Sequence, residues 1–149
     1  MSLRNRQRLQ LLPLDGWRDA SAEMPDRMTT FLHENGADSA ALQFSFAFAK
    51  DAAGPLSNET LRKLANNLEA SGSTLLATDG GTCRFGRYMS STYRLNESTT
   101  CQLWVLSDGR NLIFATLTAS DMLWAERRPQ VLKVVMSATL ADTPWYHFW

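Results

Sequence analysis

The fold is decided by residues 85–138, whose sequence is FGRYMSSTYRLNESTTCQLWVLSDGRNLIFATLTASDMLWAERRPQVLKVVMSA. Apolar and polar residues alternate in three runs of this stretch, at residues 85–93, 101–106 and 112–118. This period of two is typical of β-strands with one buried face. Asp108 and Gly109 stand between the second and third runs, and this pair favours a tight hairpin because such turns need positive φ angles. The stretch therefore predicts a meander of antiparallel strands.

A helical pattern follows the meander. The apolar residues that share one helical face over residues 124–138 are Trp124, Val131, Val134, Val135 and Ala138. Thr118, with Asp121 three residues later, resembles a helix start. Pro129 is expected to interrupt this helix or to lie in its first turn, because a proline deeper inside loses a hydrogen bond and clashes with the preceding turn.

A core strand is predicted over residues 41–49, ahead of the meander. Leu42, Phe44, Phe46 and Phe48 fall on one of its faces, and small or polar residues fall on the other. The large side chains are expected to point into the core. The small residues leave room for a packed helix, so both faces of this strand are expected to be covered.

The best-patterned helix of the chain is predicted to begin after Ser57, a good N-cap residue. Its apolar face is formed by Leu61, Leu64, Ala65 and Leu68. Gly72 supplies the stop signal. A weak strand over residues 74–78 is expected to end at Asp79-Gly80-Gly81, just before the meander.

One domain is expected for a chain of 149 residues, which is long enough to bury a core without disulfides or metals. Residues 1–12 carry basic charge without a matching apolar period, and they are predicted to form a flexible N-terminal arm. Residues 13–149 are predicted to form a single α+β domain, in which residues 16–18 and 29–33 are short candidate strands.

Charge and composition exclude several classes of function. Fifteen basic and fifteen acidic residues cancel, which removes the long-range attraction that a nucleic-acid binder shows. The apolar run after the N-terminal arginines is too short for a signal peptide, and no stretch approaches a membrane span. Cys83 and Cys101 are predicted to be buried, reduced thiols. We therefore expect a cytoplasmic protein without nucleic-acid binding or membrane insertion.

No residue pattern points to catalysis, a metal or a cofactor. His33 and His147 are the two histidines, and they lie in different regions without the ligand cluster that a metal needs. No nucleophile-elbow motif accompanies them, so a small hydrolase using one of them is an outside alternative. Arg84 and Arg87 are expected on opposite faces of one strand, where they do not form a single anion clamp. We expect a protein that is not an enzyme and needs no cofactor.

The C-terminus is the strongest anomaly, because residues 145–149 read WYHFW. A bare aromatic end tends to self-associate unless something covers it. Either this tail folds back onto the domain, or it contacts a partner, since aromatic side chains are the usual anchors of interfaces. The candidate partner-binding residues are Trp145, Tyr146, Phe148 and Trp149.

The apolar framework resembles that of a bacterial group of small immunity-protein-like chains. The stretches that carry the resemblance are residues 42–45, 61–68, 85–86, 102–104, 112–116, Glu126 and 134–137. Together they span about residues 17–140, nearly the whole domain. The resemblance implies a Mog1/PsbP-like α/β/α sandwich, in which helices flank an antiparallel sheet. Pro129 and the aromatic C-terminus depart from the family pattern.

The resemblance implies a binding function and no reaction, since the family has no catalytic residue to place on this sequence. Immunity proteins of this kind neutralise toxins delivered between competing bacteria, for example by type VI secretion. The implied partner is therefore a cognate toxin or effector protein. A secretion chaperone for an effector is the alternative among binding proteins. The sequence leaves the oligomeric state open.

Overall fold

The structure, a computed structural model, describes residues 6–24, 28–48 and 73–143. These residues form nine strands, one turn of 3-10 helix at Ser21–Glu23 and one α-helix. In chain order the elements are β1 (Arg6–Gln10), β2 (Arg18–Asp19), β3 (Thr29–Asn35), β4 (Asp38–Phe48), β5 (Thr74–Cys83), β6 (Gly86–Asn96), β7 (Thr99–Ser107), β8 (Asn111–Ser120), α1 (Asp121–Ser137) and β9 (Thr139–Thr143).

Seven strands form one antiparallel sheet in the order β2-β3-β4-β8-β7-β6-β5. The predicted meander is confirmed as β6, β7 and β8, which pair in sequence order. The predicted hairpin turns at Gly109, which has a φ of 101°. The Asp108 carboxylate accepts the N–H groups of Arg110 and Asn111 at 2.9 and 2.7 Å. β1 and β9 form a separate two-stranded ribbon.

The core lies between α1 and one face of the sheet. α1 packs on β4, β7 and β8, and its buried residues are Leu123, Val131, Val134 and Val135. The largest sheet side chains that are fully buried in this core include Leu42, Phe44, Trp104 and Leu117. The predicted α+β class is therefore confirmed, since a mostly antiparallel sheet packs against a helix that follows it in sequence.

The predicted core strand is β4, and its apolar face is only partly buried. Leu42 and Phe44 are buried, whereas Phe46 is 38% exposed. β3 pairs with β4 only as far as the Thr29–Phe44 pair, so Phe46 extends past the end of β3. Alternation along one strand does not show where the neighbouring strand ends, so it placed Phe46 in the core.

α1 begins at Asp121, and Pro129 lies in its interior on the exposed side. The prediction that Pro129 interrupts the helix or lies in its first turn is therefore wrong. Proline has no N–H, so the carbonyl of Ala125 loses its helical donor. The helix has buried residues on both sides of Pro129, and these pack against the sheet. Their burial outweighs the free-energy cost of a proline inside the helix.

β5 runs through Cys83, so Asp79-Gly80-Gly81 does not end this strand as predicted. Gly80 and Gly81 pair with Met89 and Tyr88 of β6. A Cβ on Gly80 would lie 2.6 Å from Met89 Sδ, and one on Gly81 would lie 3.2 Å from Tyr88 Cε1. The glycines therefore provide space for large neighbours within the strand and do not form a turn.

The turn between β5 and β6 lies at residues 84–85. Arg84 is in this turn and Arg87 is in β6, so the prediction that they occupy opposite faces of one strand is wrong. Gly86 has a φ of 147°, and a Cβ there would lie 2.3 Å from the backbone oxygen of Ser107. This close approach of two backbones requires glycine.

Residues 6–14 are attached to the domain. Residues 6–10, within the predicted arm, form β1 and pair antiparallel with β9, and Leu9, Leu11 and Leu14 pack against the core. The predicted boundary at residue 12, between an N-terminal arm and the α+β domain, stays a prediction. The predicted helix after Ser57 lies outside the described residues.

Candidate partner-binding cleft

An open cleft of about 300 Å³ lies where three connections of the sheet meet. Its walls come from the β3–β4 turn, the β6–β7 turn and the junction between β8 and α1. Its polar lining residues are Asp38, Ser39, Ser98, Thr99, Thr118, Ser120 and Asp121. The antiparallel sheet topology brings these segments together from distant parts of the sequence.

Local turn chemistry positions the walls of the cleft. Gly36 has a φ of 65°, which allows β4 to start at Asp38 after a tight turn. In the β6–β7 turn, the side-chain oxygen of Asn96 accepts the N–H of Ser98 at 2.9 Å. The Ser98 carbonyl accepts the N–H of Asp121 at 3.0 Å. This last bond fixes the β6–β7 turn to the start of α1.

An ion pair borders the cleft. The two guanidinium nitrogens Nη1 and Nη2 of Arg94 donate to the two carboxylate oxygens of Asp121 at 2.6 and 2.9 Å. The hydrogen bond from Arg94 lowers the pKa of Asp121, and the same bond raises the pKa of Arg94. Asp121 is also in the first turn of α1, where the helix dipole favours a negative charge. Its carboxylate is therefore ionised at neutral pH.

The cleft presents oxygen atoms to its surroundings. Its lining contains no Lys, Arg or His among the described residues, and its charged residues are Asp38 and Asp121. Ser120 Oγ is buried without a hydrogen-bond partner in the described part of the chain. Thr118 Oγ1 donates to Cys101 Sγ at 3.6 Å. Carboxylate and hydroxyl oxygens suit a ligand group that donates hydrogen bonds and carries positive charge, such as a Lys or Arg side chain.

His33, the candidate for hydrolase chemistry, lies on β3 and is 9% exposed. Its ring packs edge-on against Trp17 at a centroid distance of 5.5 Å. Its Nδ1 is buried and has no hydrogen-bond partner within residues 6–24, 28–48 and 73–143. Nucleophilic catalysis needs a hydroxyl or thiol bonded to the base, so this arrangement does not assemble that pair. His147 lies outside the described residues.

Both cysteines are free thiols, as predicted, but the prediction that Cys83 is buried is wrong, because Cys83 is the last residue of β5, a strand at the edge of the described sheet. Cys101 is buried and Cys83 is half-buried, and desolvation raises the pKa of both thiols. In the part of the chain that the structure describes, no group of three or more His, Cys, Asp or Glu side chains is placed to hold a metal ion. No helix in that part is long and apolar enough to cross a membrane.

The sequence-predicted binding residues Trp145, Tyr146, Phe148 and Trp149 lie outside the described residues. Sequence patterns missed the cleft, because its walls are joined by contacts between distant residues, such as Arg94 with Asp121. The sequence contains two local signals in this region. Asn96 and Ser98 indicate a turn, and Ser120 before Asp121 indicates a helix start. Neither signal shows that the two segments meet.

No family model and no curated protein matches the chain. Solved structures share its fold, and two of them are described by their similarity to this chain. The cyanobacterial PsbP (CyanoP) of Synechocystis sp. PCC 6803 has 13% identity and a TM-score of 0.57, covering 95% of each chain. The Saccharomyces cerevisiae Ran-binding protein Mog1p has 10% identity and a TM-score of 0.55, covering 93% of this chain and 96% of that one.

These neighbours confirm the predicted Mog1/PsbP-like fold. Their identities of 13% and 10% support the architecture alone. No sequence or family match supports the immunity-protein resemblance.

Proposed function

We propose that this chain is a non-catalytic protein-binding module, and more specifically an immunity-type inhibitor of a cognate bacterial toxin or effector protein. The open cleft carries the proposal, because its oxygen-rich lining is complementary to a basic side chain of a partner. Mog1p is named as a Ran-binding protein, so this fold also occurs in a chain that binds another protein.

The partner is held at the cleft by Asp38 and by the hydroxyl groups beside it. Asp121 contributes less, because Arg94 already neutralises its charge. The C-terminal residues Trp145, Tyr146, Phe148 and Trp149 are proposed as aromatic anchors for the same partner. The complex forms in the cytoplasm, where Cys83 and Cys101 remain reduced.

Co-expression with candidate toxins tests this proposal. Toxin-like proteins encoded next to this gene are expressed in a sensitive bacterium, with and without the chain, and growth is measured. The wild-type chain is expected to restore growth and to form a one-to-one complex in size-exclusion chromatography. Asp38→Lys is expected to weaken the complex about tenfold or more, because it places a positive charge against the partner's basic group.

Glu126→Lys is the matched control. It also replaces an acidic residue with lysine, but Glu126 is exposed on α1 and does not line the cleft. A deletion after Pro144 tests the aromatic residues in the same assay. If wild type and Asp38→Lys bind the partner equally well, the role of the cleft is overturned. If the chain restores growth with none of the toxin-like proteins encoded next to it, the immunity function is overturned.

The alternatives give different results in these experiments. A secretion chaperone binds an apolar segment of its client, so its binding would not depend on Asp38. A hydrolase would lose activity on His33→Ala or His147→Ala while keeping its fold.

A further inference from the structure

The cleft contains a row of hydroxyl groups at the ends of three neighbouring strands. β8 lies between β4 and β7. Its Ala119 pairs with Ala40 of β4, and its Ser120 pairs with Thr99 of β7. The same register places Ser39 of β4 level with Ser120 on the other side. Because residues that pair across strands share a face of the sheet, the hydroxyl groups of Ser39, Ser120 and Thr99 lie side by side.

The middle member of this row lacks a hydrogen-bond partner. Ser120 Oγ is buried and makes no hydrogen bond in the described part of the chain. Ser120 occupies the N-cap position of α1, yet its side chain does not cap the helix. A hydroxyl oxygen can accept two hydrogen bonds, and a buried polar atom without a partner is unfavourable. A ligand that donates an N–H here removes that unfavourable state.

The charge available to a ligand comes from Asp38. No ion pair within the described residues involves Asp38, whereas Asp121 is bound by Arg94 through both carboxylate oxygens. With the Asp121 charge compensated by Arg94, the cleft has one negative charge without a counterion. It therefore suits a ligand group with a single positive charge.

The cleft also offers apolar surface. Met122 lines it and is 51% exposed, which is high for a large apolar side chain, and Ala37 lines it as well. Long basic side chains have an apolar methylene stem, which packs on such surface while the charged end group stays at the polar atoms. Methionine adapts its shape to a contacting group. Met122 is therefore suited to contact the stem of a basic side chain whose end group enters the cleft.

We infer that the cleft binds an arginine side chain of the partner and selects it over lysine. The inference rests on the proposed function, in which the partner is the cognate toxin or effector protein. A guanidinium group is planar, with five N–H donors around its edge, so it can donate to Asp38 and to the hydroxyl row together. The ammonium group of lysine is compact and strongly hydrated. In an open cleft of about 300 Å³, such a group contacts fewer of the acceptors.

NMR titration of the full chain with small arginine derivatives tests the selection. N-acetyl-arginine methylamide is added at low ionic strength, and the backbone amide shifts of the cleft residues are followed. We expect saturable shifts and a Kd about fivefold or more below that of the matching lysine derivative. The citrulline derivative has the same shape as the arginine derivative but carries a neutral urea group. It is expected to give no saturable shifts at the same concentrations.

Variants of two cleft residues identify the acceptors. Asp38→Asn keeps the size of the side chain and removes its charge, so it should raise the Kd of the arginine derivative about fivefold or more. Glu126→Gln is the matched control, because it removes one negative charge from the exposed surface of α1 outside the cleft. It is expected to keep the wild-type Kd.

Ser120→Ala separates a binding role from a structural one. It removes a hydroxyl that has no partner in the free protein, so it should weaken arginine binding without lowering the melting temperature. A lower melting temperature with an unchanged Kd would show that Ser120 serves the fold, and it would overturn the role of Ser120 in binding.

The inference is overturned if the lysine or citrulline derivative binds as tightly as the arginine derivative. It is also overturned if the arginine derivative gives no saturable shifts at tens of millimolar, or if Asp38→Asn leaves its Kd unchanged. Because these titrations contain no toxin, they are independent of the growth assay. Restored growth without a preference for arginine would overturn this inference alone. A preference for arginine without restored growth would overturn the immunity function and leave the arginine site.

Discussion

Arg94 and Asp121 are joined by two hydrogen bonds of 2.6 and 2.9 Å, although 27 residues separate them in sequence. Arg94 is near the end of β6 and Asp121 is the first residue of α1. Arg94 also donates to Thr100 Oγ1 at 3.0 Å and to the Glu97 carbonyl. The ion pair therefore ties the β6–β7 turn and the start of α1 into one wall of the cleft.

This ion pair predicts a dependence of stability on pH. The pKa of Asp121 is lowered from its ordinary value of 3.8 by the hydrogen bond from Arg94. A carboxyl group whose pKa is lower in the folded state stabilises the fold above its unfolded pKa and loses this effect as pH falls through the folded value. The wild type is therefore expected to melt above Asp121→Asn at pH 7, and the gap should narrow below about pH 4. A gap that stays constant down to pH 2 would contradict this assignment.

Pro129→Ala is expected to stabilise the protein by about 1 to 3 kcal/mol, because alanine restores the N–H donor to the Ala125 carbonyl and removes the clash inside α1. Urea unfolding measures the change. Glu126→Ala, on the exposed surface of the same helix, should change stability by less than about 0.5 kcal/mol. A loss of stability in Pro129→Ala would show that α1 needs the proline geometry.

Period-two alternation and the Asp108-Gly109 turn were enough to predict β6, β7 and β8, because both signals are local. The prediction failed where a distant contact decided the structure. Gly80 and Gly81 indicate a turn when read locally, yet Met89 and Tyr88 use the space above them and β5 continues. The cleft was missed for the same reason, because its walls are brought together by sheet pairing.

Gly86→Ala is expected to destabilise the protein by about 2 to 4 kcal/mol, because a Cβ there meets the Ser107 backbone, which cannot move aside as a side-chain end can. Gly36→Ala is the control for backbone strain alone. Gly36 also has a positive φ, of 65°, but no atom lies within 4 Å of its Cβ position, so its cost should be about 1 kcal/mol. Equal losses, measured by urea unfolding, would mean that the close approach at Gly86 relaxes without cost.

Gln130 connects the segment before β2 to α1. Its Oε1 accepts the Trp17 Nε1–H at 2.9 Å, and its Nε2 donates to the Asp15 carbonyl at 3.0 Å. The Trp17 ring also packs against His33, so this glutamine orients an aromatic pair beside the core.

Gln130→Ala leaves the half-buried Trp17 N–H without its acceptor, and we expect a loss of about 1 to 3 kcal/mol in urea unfolding. Gln130→Glu keeps an acceptor for Trp17 and removes only the donor to Asp15, so it should lose less than the alanine variant. Trp17→Phe removes the indole N–H together with the need for an acceptor. In that background Gln130→Ala should cost clearly less than in the wild type, because the coupling between two bonded side chains disappears with the bond. Equal costs in both backgrounds would show that Gln130 stabilises the protein through Asp15 or through packing, and not through Trp17.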